Sequence, residues 1–390
     1  MESLGIYISV PFCKAKCTFC NFASGAFGLE RMNAYVDGLV AEIAAARARA
    51  VELRAELPGV VDTIYFGGGT PSLLEPVQLQ RIFAALHGEF AIAAGSEVTV
   101  ECAPGQMSEA TLDEMIRQGV NRVSFGVQSF VDAEAAAVGR LHTAEQCRAE
   151  IARVRAAGIS EISLDLIAGL PRQSAASWEL SVDAVIDSGV PHASVYMLEV
   201  DEESRLGKEL IAGGPRYQAM TVPSDEAMTE FYAWAIERFG EARLEQYEIS
   251  NFARDGHASR HNLKYWQRAP YLGFGVDAHS MLRRGEGAVR LANADSLEAY
   301  AVGAEREVTE VDEDGAFEEA LFLGLRRNVG VSLDDLKAEF GSGRVETFAG
   351  MAGELAKDGL LQQHGARVML SERGRMISNE VFGELLRVAV

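Results

Sequence analysis

Three cysteines stand in one short row, Cys13, Cys17 and Cys20, spaced C-x3-C-x2-C inside "YISVPFCKAKCTFCNFASG". Clustered thiols in a chain with an odd cysteine count point to a metal or a reactive centre before a disulfide framework. Structural zinc is almost always closed by four protein ligands, and no second C-x2-C pair follows. A four-iron cluster also takes four ligands, so three thiolates leave one iron open to a small molecule. Phe22 stands where a fourth cysteine would fall. Zinc remains the alternative at this point. Cys147, in "EQCRAEIARVRAAG", reads as a packed thiol, and Cys102 stands beside Glu101.

Other chemistry-bearing residues fall at regular places along the first half of the chain. Short runs rich in β-branched and aromatic residues, "GIYISVPF", "VDTIYFGG", "SEVTVECAP", "NRVSFGVQS", "ISLDLIAGLP" and "HASVYMLEV", predict six strands. Helical periodicity is expected between them, near residues 31–55, 76–89, 108–118, 132–157 and 174–188. Strands alternating with helices give an α/β class with a parallel sheet, either open and doubly wound or barrel-like. Both arrangements put a ligand at the carboxyl ends of the strands. There the cysteine row follows the first strand, Gly67, Gly68, Gly69 and Thr70 follow the second, and Glu101 ends the third. Gln128 ends the fourth, Arg140 follows it, and Asp165 lies in the fifth. Glycines let backbone approach a ligand closely, although a tight turn explains a lone glycine run equally well.

Residues 201–222 read as an irregular connector after a first unit of 1–222, and residues 223–309 as an extension of it. That extension holds a strand-like "LEQYEISNFA", a loop with "RHNLKYW" and the glycine-rich "YLGFGVDAHSM". From 310 to 390 the pattern of helices followed by a hairpin suggests a winged-helix-like domain. Acidic residues exceed basic ones by 21 charges over the 390 residues, which argues against nucleic acid as a partner. No stretch reaches the roughly 20 apolar residues of a membrane span, and no basic-then-apolar leader opens the sequence, so a cytoplasmic protein is expected.

The cysteine row after a first strand, with "FGGGTPS" after the second, resembles the radical S-adenosylmethionine superfamily. "VTVECAPG", "RVSFGVQSF", "LDLIAGLP", "YEISNFA" and "HNLKYW" extend the match over nearly the whole length to the coproporphyrinogen dehydrogenase-like branch and its heme-chaperone members. That resemblance implies a partial (β/α)6 barrel, a [4Fe-4S] cluster on Cys13, Cys17 and Cys20, and S-adenosylmethionine on its open iron. By the same resemblance Tyr7, Phe22, Gly68, Gly69, Thr70, Glu101, Gln128, Arg140 and Asp165 would contact that cofactor. Heme would be held by His261, Tyr265 and Trp266, with His257, His279 or a cysteine as alternative axial ligands, and passed to apo-heme acceptor proteins. A homodimer stays open. The decarboxylating relatives carry a further cysteine two positions after the third and a long segment before the first strand. Phe22 and a strand predicted to begin near the start therefore favour a heme chaperone over a radical oxidoreductase or methyltransferase acting on a tetrapyrrole.

Overall fold

The computed structural model describes residues 2–386. The six expected strands form: β1 (Leu4–Val10), β2 (Val60–Gly68), β3 (Ala91–Cys102), β4 (Arg122–Gln128), β5 (Glu161–Ala168) and β6 (His192–Met197). They pair in parallel in the order in which they occur along the chain. A doubly wound sheet would reverse that order at a switch point, so the barrel-like alternative is the one realised. Two antiparallel strands, β7 (Glu245–Glu248) and β8 (Asn251–Ala253), extend the β6 edge. On the other side β9 (Tyr271–Phe274) pairs in parallel with β1, followed by β10 (His279–Arg284), β11 (Gly287–Ala292) and β12 (Glu307–Val311).

Side chains alternate across these strands with period two. Ile6, Ile8, Ile64, Phe66, Val98, Val100, Val123, Phe125, Ile162 and Leu164 pack outward in one buried core with the helices. The other face carries Tyr7, Tyr65, Glu101, Ser124, Asp165, Ser194 and Tyr196. This inner face is polar from end to end, and its polar groups bond across strands, as Tyr65 to Glu101 and Ser124 to Asp165 show. The sheet does not close on itself among the described residues. Its two edge regions are instead linked by the helix Glu313–Leu325, whose Glu319 pairs with Arg290 of β11 at 2.6 Å. Just past the helix end, Arg327 bridges backbone with Glu248 of β7, and the Asn328 side chain donates to the Gln246 carbonyl at 2.6 Å.

The winged-helix-like part has its own apolar core around Phe317, Phe340, Val345 and Phe348, capped by a small sheet of β13 (Val331–Ser332), β15 (Arg367–Leu370) and β14 (Leu361–His364). Three local expectations change. The helix expected over 132–157 is broken into Asp132–Ala137 and Ala144–Ala156, with Gly139 at φ +83° in the break. The connector holds a helix, Arg205–Ile211. "RHNLKYW" is no loop but the helix Arg260–Trp266, capped by the Ser259 hydroxyl.

That helix plugs the amino-terminal mouth of the barrel. Buried Glu97, near the middle of β3, accepts from the Arg260 and His261 amides at 3.0 and 2.9 Å, a carboxylate set against a helix amino terminus. It also lies 3.7 Å from the buried Arg122 guanidinium, which Glu161 approaches at 3.4 Å. Removing one partner of such a group leaves a buried charge short of compensation. Glu97→Ala is therefore expected to cost about 3 to 5 kcal/mol, read as a lower urea midpoint, whereas an exposed control such as Glu145→Ala leaves the midpoint in place.

Candidate metal centre and cofactor cavity

The cysteine loop leaves β1 at the opposite, carboxyl-terminal mouth. Gly69 and Thr70, just past β2, donate their amides to the Val10 and Phe12 carbonyls at 2.8 and 2.7 Å, which zips the loop to the neighbouring strand end. A Cβ on Gly69 would lie within 2.9 Å of three backbone atoms of β1 and its loop, so only glycine permits this approach. The loop closes on itself where Cys13 donates to the Gly25 carbonyl at 2.9 Å.

Each sulfur meets a different neighbour. Thr70 donates to Cys13 at 3.7 Å, the Ser24 hydroxyl lies 3.9 Å from Cys20, and an Arg140 nitrogen lies 3.5 Å from Cys17. The helix break delivers that arginine. Val138, in the break, accepts the Thr18 amide at 3.0 Å, and Arg140 also donates to the Gly126 carbonyl. Burial pushes the Cys13 and Cys20 thiols upward, so standing thiolates here require a metal charge. Among the described residues no three His, Cys, Asp or Glu side chains converge on a single ion. A cluster would spread such thiolates over separate irons. The three sulfurs fit the cluster.

Beside the loop, the upper inner wall of the barrel is unusually acidic. Burial raises the Glu101 carboxyl to about 7, against the Tyr65 hydroxyl that donates to it at 2.9 Å and with nearby Asp165 raising it further. Burial likewise raises Asp165 to about 6, although Ser124 donates to it at 3.1 Å. Gln128 holds a left-handed φ of 69°, rare for a residue with a side chain, and its Oε1 is buried without a partner. Gly67 leaves room between Tyr7, Tyr65 and Glu101, each 3.0 Å from where its Cβ would lie. Buried acids with no salt bridge among the described residues, an orphaned acceptor and open space suit a ligand that brings positive charge and hydroxyl donors. S-adenosylmethionine has a sulfonium, an ammonium and ribose hydroxyls, so Glu101, Gln128 and Asp165 fit it. Tyr7 and Gly68 lie on the same wall, and Phe22 is an exposed side chain of the cysteine loop.

His261, Tyr265 and Trp266 do not join this mouth; they sit in the floor helix. His261 is buried with both ring nitrogens engaged, Nδ1 with Thr63 at 2.9 Å and Nε2 with the Tyr265 hydroxyl at 2.8 Å. Burial, then the Lys264 charge, lowers it to about 3. In this arrangement both His261 ring nitrogens are taken by protein partners. Its ring instead stacks on Tyr65 at 5.2 Å, so the floor helix supports the residue that bonds Glu101. His257 is held by Glu161 at 2.8 Å. His279, at the start of β10, is exposed. Tyr65, Ser124, Glu97 and Tyr196 were not singled out from sequence; the polar-apolar alternation of their strands was the available signal.

The donor set predicts that Cys13→Ala, Cys17→Ala and Cys20→Ala each lose iron and sulfide in chemical analysis, while Cys102→Ala and Cys147→Ala keep both. A second expectation follows from the acids. With Glu101 near 7 and Asp165 near 6, the folded chain keeps protons that the unfolded chain releases near pH 4. Their contribution to stability is present below pH 4 and is lost as pH rises through 6 and 7. Without cofactor, Asp165→Asn should flatten this decline in the urea midpoint and weaken S-adenosylmethionine binding in calorimetry. An unchanged pH profile together with unchanged affinity would separate Asp165 from the cavity.

Comparisons with known proteins bear on this geometry. The model of the radical SAM superfamily matches residues 7–185, and that of the HemN C-terminal domain matches residues 311–377. The chain is 32% identical over 387 residues to the heme chaperone HemW of Bacillus subtilis, covering 97% of this chain and 98% of that one. It is 31% identical to the heme chaperone HemW of Mycobacterium tuberculosis, with 99% and 95% covered. It is 33% identical to radical S-adenosyl methionine domain-containing protein 1, mitochondrial, of Bos taurus, with 85% and 75% covered. The coproporphyrinogen III oxidase HemN of Escherichia coli shares the fold, with a TM-score of 0.82 at 22% identity over 98% of this chain and 90% of that one. By its cysteine loop, its parallel barrel and this full-length similarity, the chain belongs to the HemW/HemN family of radical S-adenosylmethionine proteins, a membership that implies a [4Fe-4S] cluster and S-adenosylmethionine.

Proposed function

We propose that this protein binds heme and transfers it to acceptor apoproteins, with the cluster and S-adenosylmethionine site as a working part of the same molecule. The observation that carries the reading is similarity along nearly the whole chain to proteins named heme chaperones. Phe22 adds to it. Where the decarboxylating relatives have a fourth cysteine, this loop has an exposed phenyl ring whose carbonyl is held by the Lys16 ammonium at 2.8 Å.

The same residues suggest where heme rests. Tyr196, on the inner face at the carboxyl end of β6, is 44% exposed, an aromatic surface beside the cofactor cavity. A flat macrocycle can stack on such a surface. His279, exposed at the start of β10, is the axial ligand in this reading. The cavity's intact acids favour one further reading, a radical enzyme acting on a tetrapyrrole.

Titration separates the two. The carrier should bind heme without reductant or S-adenosylmethionine, giving a Soret band, and should restore a heme-depleted acceptor. His279→Ala should shift that band with iron–sulfur content unchanged, whereas His261→Ala should chiefly lower stability. Multiple turnovers of coproporphyrinogen in the absence of any heme binding would replace the carrier by the enzyme.

A further inference from the structure

The cysteine loop does little to hold itself together. Its internal main-chain bonds are the closure of Cys13 on Gly25 and two tight turns, from Cys20 to Cys17 at 3.3 Å and from Ser24 to Phe22 at 2.7 Å. The arc 16–21 turns outward instead. Thr18 donates to the Val138 carbonyl of the helix break at 3.0 Å, and its own carbonyl accepts the Leu206 amide at 2.8 Å. The Lys16 carbonyl accepts from the Arg205 guanidinium, and the Asn21 side chain donates to Asp201. The Phe19 ring packs into a small core apart from the main one, with Leu198, Leu206, Leu210 and Ala219 of the connector and Val138 of the break.

The connector is tied at both ends and seated on this arc. Leu198 donates to the Ala168 carbonyl, at the end of β5, at 2.8 Å, and the Thr221 carbonyl accepts the Arg172 amide at 2.9 Å. Between these ties Tyr217 and Gln218 both hold left-handed φ values, 54° and 59°, and the Gln218 Oε1 is buried without a partner. Such strain persists only where the surroundings over-determine it. Here the surroundings are the small core and the cysteine arc, so the order of the connector follows the order of the arc. A cluster on Cys13, Cys17 and Cys20 would cross-link the loop around that arc and add its binding free energy to the local fold.

We infer that residues 198–222 form a strap whose closure depends on the cluster: the cluster fixes the arc, the arc seats the strap, and cluster loss frees the strap by local unfolding. The inference rests on the cluster that family membership implies and is independent of the heme-carrying reading. It gives the exposed Val200, Ile211 and Met220 one fixed arrangement only while the cluster is in place. The plain alternative is a connector held by the small core alone and indifferent to the cysteines.

Trypsin distinguishes the two, because the strap carries Arg205, Lys208 and Arg216. Cleavage of a segment that opens and recloses quickly tracks the population of its open form. Cuts after these three residues, located by mass spectrometry, should be about tenfold or more faster in protein stripped anaerobically with a chelator than in the cluster-loaded protein. Cys20→Ala, which loses the cluster without a chelator, should match the stripped wild type. Leu206→Ser disturbs the small core from the strap side; it should keep the cluster absorbance while the strap is cut at one fast rate, loaded or stripped. Arg205→Gln, which gives up only the tie to Lys16, should narrow the loaded-to-stripped difference at Lys208 and Arg216 and serves if Leu206→Ser does not fold. Equal cutting of the strap in loaded and stripped wild type overturns the inference, as do new cuts confined to Lys14 and Lys16 or spread equally over the carboxyl-terminal domain. Protein that takes up no iron and sulfide at all removes the cluster and the strap's dependence on it together.

Discussion

A polar wall inside a barrel has to be paired or wetted, because each buried polar group left without a partner costs on the order of 1 to 3 kcal/mol. The six parallel strands turn Tyr, Ser, Thr, Glu, Asp and Arg inward, and the rest of the molecule is arranged around satisfying them. At the amino-terminal mouth most of these groups are paired, the Trp266 indole nitrogen aside. Glu97 takes the floor helix amides, Thr63 takes His261, and Asp62 meets Lys264 at 2.7 Å. At the other mouth pairing is left incomplete. Gln128 keeps an unpartnered oxygen, and Glu101 and Asp165 form no salt bridge among the described residues, although the Arg140 charge reaches Asp165. Chemistry is possible only at the end that the protein does not finish for itself.

The same asymmetry explains why a motif rich in histidine and aromatics lies so far from the cysteines. A column of rings, Tyr7, Tyr65, His261, Tyr265 and Tyr271, runs from one mouth to the other with neighbouring centroids 4.7 to 6.1 Å apart. Packing along it fixes the Tyr65 hydroxyl under Glu101. The floor helix therefore acts on the cofactor cavity through position, as a supporting group does for a ligand. Trp266 is the exception in that helix, since it turns toward Arg326 and the seam.

Much of this was legible in the residues. The cysteine spacing, the six strands and the glycine run after the second strand are local signals, and local signals survive folding. Others depended on partners far away in sequence. "RHNLKYW" is too short for helical periodicity to show, and its polar residues find their partners some 160 to 200 positions earlier, in the acids Glu97 and Asp62 and the hydroxyl of Thr63. The expected single helix over 132–157 concealed its break because alanines suit either outcome, and the break matters because it sends Arg140 to Cys17. The alternation of "EVTVE" and "SLDLI" did contain the polar inner face, legible only once the outer face is known to be covered by helices.

Three thiolates, and a phenyl ring in place of a fourth, acquire a physical sense from their neighbours. Cys13 and Cys17 have donors from elsewhere in the chain, Thr70 and Arg140, and Cys20 lies beside the Ser24 hydroxyl of its own loop. These groups spread compensation for negative sulfur over the whole loop, in a protein otherwise rich in acid. A fourth thiolate at position 22 would find no such donor, because Lys16 is already spent on the Phe22 carbonyl and the side chain points to solvent. The ligand that completes the centre is best supplied from the cavity side, where Glu101 and Asp165 can hold an ammonium or a hydroxyl and the glycine-lined wall leaves space. An aromatic ring at the rim then serves as surface rather than as a ligand, and surface is what a carrier of a flat apolar cargo needs at its mouth.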